Sequence, residues 1–576
     1  MKRVKVKFTG IILAAVVSAG SLVTFAGCTK KPVSPVGAET IEISYSLGGF
    51  GDAWIKEAIE KFNAAFEDQG YSAVMTRNDA AFDEDAVTNE IKSYTDNSYD
   101  LYITIGNNMN LVDDSFSVLR KKGECLLEDL TDVYNSKVIN LDGSEGSETV
   151  LETRNQEMLP FCTYNFDNND YKGKYYGYQW TSAYGGIAVN TFVLRQFGYD
   201  HAPRTTKEMK EMCDAVNNQV KNTYKGKRIY PMTWAGANAS GYVEYSLLTW
   251  MAQYMGVEEY MDFFRFKPED GDIIGHGYDV YNNEGILYAL NALEGIIGQE
   301  YAATGTVATA DHLLSDQTLG DGEALFEITG DWVYSELKGI YKELEELDYN
   351  SLQKLEQYYG VDTVDGVLSN IEIMPVPIVS ELADKISLSG AAEQKENTLR
   401  NIVKGIDDGK TDAEIATDNG VSSDQVAKVR EARGVYYDLG RGHQAYIPSY
   451  SDAKDVAKLF LRFISSKEFS DTVYSKNAFG ITANKSAAPN DNNFLSSLTK
   501  CCKKEYSTPI SEFTCLSEIR YNGGIVSTIE PLYYGDLAKN MATHDAEFTA
   551  DKVYQKIKEG MHYNWGTILS GAGYGE

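Results

Sequence analysis

From Ile41 the chain alternates. Ile41, Ile43, Tyr45 and Leu47 are separated by polar residues, a period of two that predicts a strand with one buried face. Gly48-Gly49-Phe50-Gly51 predicts a turn, after which the apolar spacing lengthens to three and four. Asp52 is the expected N-cap of a helix whose Ile55, Ala58, Ile59, Phe62 and Phe66 share one face. Tyr99 to Ile105 reads as a second strand, running into the loop Gly106-Asn107-Asn108 and a further helix. Thr205 and Glu208 have capping-box spacing and open a helix carrying Met209, Met212, Cys213 and Val216. Strand, loop and helix in repetition predict an α/β fold, with sheets covered by helices. Ligands in such folds sit in the crevice beyond the carboxyl ends of the strands. Position alone therefore makes Phe50, Asp52, Asn107 and Asn108 candidate ligand contacts.

Length and composition bound the rest. A chain of 576 residues exceeds what one hydrophobic core serves, so two or more lobes are expected. Apolar content of 43% without a later membrane-length segment predicts a soluble, globular body. The formal charge of -31 would repel nucleic acid and anionic lipid, which excludes both as ligands. Tyrosine is abundant, 40 against 22 Phe and 6 Trp, and its flat face with a polar tip suits a partly wet sugar site as well as an ordinary core. Beyond Cys28 the cysteines are Cys125, Cys162, Cys213, Cys501, Cys502 and Cys515; their spacing carries no zinc pattern, and only Cys501 or Cys502 with Cys515 is a local disulfide candidate. The histidines are too scattered to suggest a metal pair. Neither a metal nor a cofactor is expected.

The first residues address the chain to a compartment. Lys2, Arg3, Lys5 and Lys7 precede an apolar run from Phe8 to Phe25, the pattern of a secretory signal. The ending Ala26-Gly27-Cys28 resembles a bacterial lipoprotein lipobox, which implies a signal peptide over 1–27, lipidation of Cys28 and a tether over 28–40 containing Pro32, Pro35 and Gly37. The expected location is the cell membrane, held by acyl chains such as palmitate and facing outside the cytoplasm. An uncleaved anchor is the competing reading.

A family resemblance emerges from Lys174 onward. The tyrosine- and glycine-rich run to Asn190, the short helix to Phe197, Gly198, Pro203-Arg204-Thr205 and the helix after it resemble the extracellular solute-binding proteins of bacterial ABC importers, in the maltose-binding-like branch. Gly322-Glu323-Ala324-Leu325-Phe326 with Gly330-Asp331-Trp332, Ile371 to Pro377, and Tyr446-Ile447-Pro448-Ser449 with the amphipathic helix after it follow in the same order. The resemblance implies two α/β lobes joined by a hinge, a type II periplasmic-binding-protein-like fold. The first lobe would hold 41–178 and 370–482, with an inserted helical segment over about 380–437; the second would hold 181–365 and 485–576. It also implies a monomer that captures an oligosaccharide between its lobes by hinge closure and docks on membrane permease subunits. Trp332 would lie on the cleft wall, with Tyr184 at the crossover strand and Tyr446 near the return strand as further contacts. Tyr230 to Gly236 reads as a strand end and loop before a helix near Tyr242, so Trp234 and Tyr242 could line the second lobe's side, with core packing the alternative for both.

Two suggestive patterns carry nothing. Gly405 to Thr411 is one residue short of a phosphate-binding loop and holds two aspartates. Thr411 to Arg430 imitates a helix-turn-helix, but Asn401–Arg430 has more acids than bases. Gly-x-Ser-x-Gly and His-Glu-x-x-His are missing. The expectation is a binding protein rather than an enzyme. A secreted or surface carbohydrate-active enzyme and a ligand sensor for a membrane receptor are the alternatives.

Overall fold

The computed structural model describes residues 39–574 apart from 78–86, 88, 92–98, 106–125, 157–158, 160–161, 164–171, 220–222, 225, 238–239, 304, 441–442, 486–491 and 512–535. The strands of its two large sheets run in chain order β1 (Glu39–Tyr45), β2 (Tyr71–Arg77), β3 (Leu101–Ile103), β4 (Tyr178–Gln179), β5 (Tyr184–Asn190), β6 (Tyr230–Trp234), β7 (Ala324–Gly330), β8 (Ile371–Met374), β9 (Val435–Asp438), β10 (Gln444–Tyr446) and β11 (Thr508–Ile510). They form two sheets, one per lobe. The first has the order β2-β1-β3-β10-β4, and the second β6-β7-β5-β9-β11 with β8 also on β5. Sheets covered by helices in two lobes are the architecture the sequence predicts.

In the first lobe β1 pairs parallel with β2 and β3. Helix α1 (Ala53–Phe66) buries Trp54, Ile55, Ala58, Phe62 and Phe66; of the apolar stripe read from the sequence Ile59 alone is half-buried, and Trp54 is buried in addition. Asp52 takes the N-cap position, but its side chain makes no cap hydrogen bond. Its backbone is helical rather than extended (φ -115°, ψ 0°), so the carboxylate is turned away from the first amides.

The second lobe contains α2 (Val243–Met255), α3 (Glu284–Ile297), α4 (His312–Gly320) and α5 (Val333–Leu347). Its sheet is organised by β5, whose seven residues are all buried. β7 pairs antiparallel along one side of β5. Along the other side lie β8, with Ile371 opposite Asn190 and Met374 opposite Ile187, and then β9, with Tyr437 opposite Gly185 and Asp438 opposite Tyr184. This corrects the expected boundary: the chain does not return to the first lobe at 370. Four apolar-rich residues fit either sheet equally, and Pro375 and Pro377 end the strand rather than mark a change of lobe. The return comes at β10, which pairs with β3 and β4.

Between β8 and β9 the chain forms α6 (Ala392–Asp407), α7 (Asp412–Asn419) and α8 (Ser423–Gly434), the inserted helices expected near 380–437. Capping boxes at Thr411/Glu414 and Ser422/Gln425 start α7 and α8. The insertion docks on α2, where the Trp250 indole donates to the Pro377 carbonyl at 3.0 Å and Gln253 exchanges hydrogen bonds with Val376 and Val379. It therefore belongs to the second lobe. α9 (Lys454–Phe463) then covers the first sheet, with Phe460 5.2 Å from Phe62. α10 (Asn493–Cys502) packs on β8, and α11 (Ala550–Gly571) on α3.

The chain crosses between lobes at three adjacent places. Trp180 N–H donates to the His443 carbonyl at 3.2 Å, Leu439 to Ala183 at 2.7 Å and Ser182 to Ile481 at 3.0 Å. Ser182 Oγ donates to Asp438, whose other oxygen accepts from Gly440 N–H, so the turn out of β9 is fixed by one buried carboxyl. Among the described residues, no helix is long and apolar enough to cross a membrane. Cys162, Cys213, Cys501 and Cys502 are buried free thiols; Cys28, Cys125 and Cys515 lie outside the described residues, so the candidate bridge to Cys515 does too.

Candidate functional site

The loop after β1 is held rigidly from below. Gly48 and Gly51 take left-handed φ of 40° and 65°, which glycine adopts freely, and the Gly51 N–H closes the turn on the Gly48 carbonyl at 3.2 Å. The Tyr45 hydroxyl donates to the Gly51 carbonyl and accepts from the Trp54 indole at 3.0 Å. Trp54 in turn stacks on Trp180 with centroids 5.0 Å apart. Its role is packing. Phe50 is thrust from this platform toward the other lobe, edge-on to Trp180 at 5.8 Å, His443 at 5.8 Å and Trp332 at 6.4 Å.

The second lobe meets it with aromatic rings laid on a glycine floor. Gly185 on β5 and Gly330 on β7 are register partners. A Cβ on Gly330 would lie 2.2 Å from the Trp332 ring, and one on Gly185 would lie 2.7 Å from the Tyr245 ring. Only bare backbone lets these rings lie flat, which gives the glycines around the tryptophan a physical reason. Tyr242 is stacked on Tyr245 at 5.2 Å and edge-on to Trp332 at 5.5 Å. Tyr437 continues the row, stacked on Tyr245 at 5.2 Å. The lobes touch here: a Cβ on Gly49 would sit 2.6 Å from Trp332 Cβ and 2.8 Å from Glu336 Oε1.

Beneath the rings lies a group of acids. Asp316 on α4 lies against Glu327 on β7 and Glu336 on α5, and burial is the first cause that raises each of them above the ordinary carboxylate range, Glu327 to about 8. Burial also raises the hinge carboxyls Asp331 and Asp438. His312 stands at the rim, 4.0 Å from Glu336.

Of the residues singled out in the sequence, Phe50, Tyr242 and Trp332 meet at this surface. Asp52 lies one turn of loop away and pairs with Lys56 at 2.7 Å. Three others are elsewhere. Tyr184 is buried on the opposite face of β5 from Gly185, its hydroxyl donating to the Met374 carbonyl at 2.8 Å; the two-residue period of the strand puts it there. Trp234, at the end of β6, is buried in the main core, and Tyr446 is buried in the first lobe with Tyr102, Leu126 and Leu127. Asn107 and Asn108 lie outside the described residues. Sequence reasoning missed Tyr245 and Glu336. Both had a signal, being one helical turn from Tyr242 and Trp332.

No family model and no curated protein matches the chain. Solved structures do resemble it. A chitin oligosaccharide binding protein superposes with a TM-score of 0.53 at 12% identity, covering 92% of this chain and 100% of its own. A maltose-bound MalE3 from T. maritima gives 0.51 at 14%, covering 91% and 99%. A structure from work on xylan utilization by Caldanaerobius polysaccharolyticus gives 0.53 at 12%, covering 90% and 99%. At this identity the likeness establishes the fold, that of two-lobed solute-binding proteins.

Proposed function

We propose that the chain is the extracytoplasmic solute-binding component of an ABC importer, capturing an oligosaccharide between its lobes. One observation carries this reading: Trp332, Tyr242 and Tyr245 form an aromatic surface at the lobe interface, opposite Phe50. Flat rings suit the C–H faces of sugars, and nearby carboxyls suit their hydroxyls. Three adjacent crossings make a hinge about which ligand contact with both lobes would favour closure. The fold shared with an oligosaccharide-binding protein and a maltose-bound one supports the same reading. The closed form would present its surface to permease subunits, and acyl chains on Cys28 would keep it beside them.

Titration of the protein lacking residues 1–28 against an oligosaccharide panel, read by tryptophan fluorescence and by chromatography of recovered ligand, tests it. One sugar class binds and is recovered intact. Trp332→Ala weakens it by about 2–4 kcal/mol, the loss typical of a central aromatic anchor. Cleaved sugar would instead make the protein an enzyme, and no binding would remove the carbohydrate assignment. Cys28→Ala tests the anchor separately, by release of the protein from membranes into the medium.

A further inference from the structure

The acids beneath the rings are poorly matched to a neutral ligand-free protein. Both oxygens of Asp316, Oε2 of Glu327 and Oε2 of Glu336 are buried and unpaired, apart from the approach of the three acids to one another, while Ser315 also bonds the Glu327 carboxyl. The basic side chain set against them is His312. The Tyr242 hydroxyl, close enough to feel all three carboxyls, makes no hydrogen bond among the described residues. Buried polar atoms are rarely left so, and an unfilled acceptor set marks a place where a donor belongs.

The donor's charge and class follow from the surroundings. Glu336 is the member that reaches the lobe interface, beside Gly49, and it follows Trp332 by one turn of α5. A group seated there would have a carboxylate on one side and the faces of Trp332 and Tyr242 close by. That combination favours a cation over a hydroxyl, since the ring faces and the carboxylate attract it together. An organic ammonium, which the rings and the carboxylate can hold together, is the cation that an oligosaccharide can carry.

We propose that the interlobe site selects an oligosaccharide bearing a protonated amine, with Glu336 as the carboxylate that sets this preference; the inference rests on the carbohydrate reading above. A fixed ammonium permits the nearest acid to ionise, and the other two can then donate their protons to it instead of competing for one.

The test compares two sugars that differ only at nitrogen: the trisaccharide of glucosamine and its fully N-acetylated counterpart, titrated calorimetrically at a pH where the amines are protonated. The wild-type protein should bind the amine form at least about tenfold more tightly, the scale of one charge-assisted contact. In Glu336→Gln the two forms should bind within about threefold of each other. Equal binding by the wild type, a preference for the acetylated form, or an amine preference that survives Glu336→Gln overturns the proposal while leaving the carbohydrate reading intact. The wild-type comparison decides the matter even if the variant folds poorly. Failure of these and of a wider neutral panel to bind removes both readings.

Discussion

Gly49→Ala measures how closely the lobes approach. Gly48 and Gly51 need glycine for their left-handed backbones, whereas Gly49 is outside that region, so alanine imposes no backbone strain. The obstacle is contact across the interface. The added carbon would lie 2.6 Å from Trp332 Cβ, 2.9 Å from Trp332 Cγ and 2.8 Å from Glu336 Oε1. Carbon atoms prefer roughly 3.5–4.0 Å, so the surfaces must part by about 1 Å here. Overpacking by one methyl costs about 1–3 kcal/mol. An open form lacks this contact, so the whole cost falls on closure. Ligand affinity should drop by about fivefold to 150-fold, at 1.4 kcal/mol per factor of ten. The core of each lobe is untouched, so the melting temperature should hardly move. Calorimetric titration with the captured sugar and small-angle scattering of the ligand-bound form give the two readouts. Wild-type affinity in the variant would refute the reasoning, as would an affinity loss matched by a fall in melting temperature.

Glu327 supplies a pH prediction. Its unfolded carboxyl loses a proton near 4.5 but the folded one holds it to about 8, so its contribution to stability is full below the lower value and is lost as pH rises through the upper. Glu327→Gln should therefore gain in melting temperature relative to wild type across that window, and a constant difference would contradict the burial argument. The thiols of Cys162, Cys213, Cys501 and Cys502 are buried, and burial pushes Cys501 up to about 12. A thiol reagent should reach them only in denaturant; rapid reaction of the native protein at these four, located by peptide mapping, would argue against their burial. Arg433 holds Asp407 by two hydrogen bonds of 2.8 and 3.1 Å, tying α8 to α6. Because Asp407 is partly exposed, Arg433→Ala should cost about 2–3 kcal/mol in urea unfolding, less than a fully buried pair, and a change under about 0.5 kcal/mol would show the fork to be dispensable.

Much of the fold was legible because its elements are strongly periodic. The stripe from Ile55 to Phe66 demands one buried face and the structure supplies it, while the alternation through Tyr45 marks β1 correctly although the strand also buries Ser44 on its other face. The place of β8 was not legible. A four-residue strand carries no record of its partner, and the two prolines that follow suit any strand end. At the site, Phe50, Tyr242 and Trp332 were visible as large rings beside turns and helix starts. The carboxyl group beneath was not, because a chain with 84 acids offers candidates everywhere. Only the approach of α4, the fold of β7 and the first turn of α5 select Asp316, Glu327 and Glu336. Tyr184 misled for the opposite reason: its neighbourhood is right, and a single step along a strand reverses the face.

The arrangement of β8 and β9 has a mechanical meaning. Met374 faces Ile187 and Tyr437 faces Gly185, so the two strands stand end to end on β5 with only Gly186 between their partners. They are one strand with a detour. If the lobes move as proposed, bending would pass from β9 into Leu439 and His443 without passing through the helices, since both ends of the detour are held on one strand. Opening and closing would then neither stretch nor compress it. On that reading the three helices would ride as cargo, free to be shortened, exchanged or fused to a reporter, provided the substitute still covers Trp250 and Gln253, while the proposed motion would be left to the crossings.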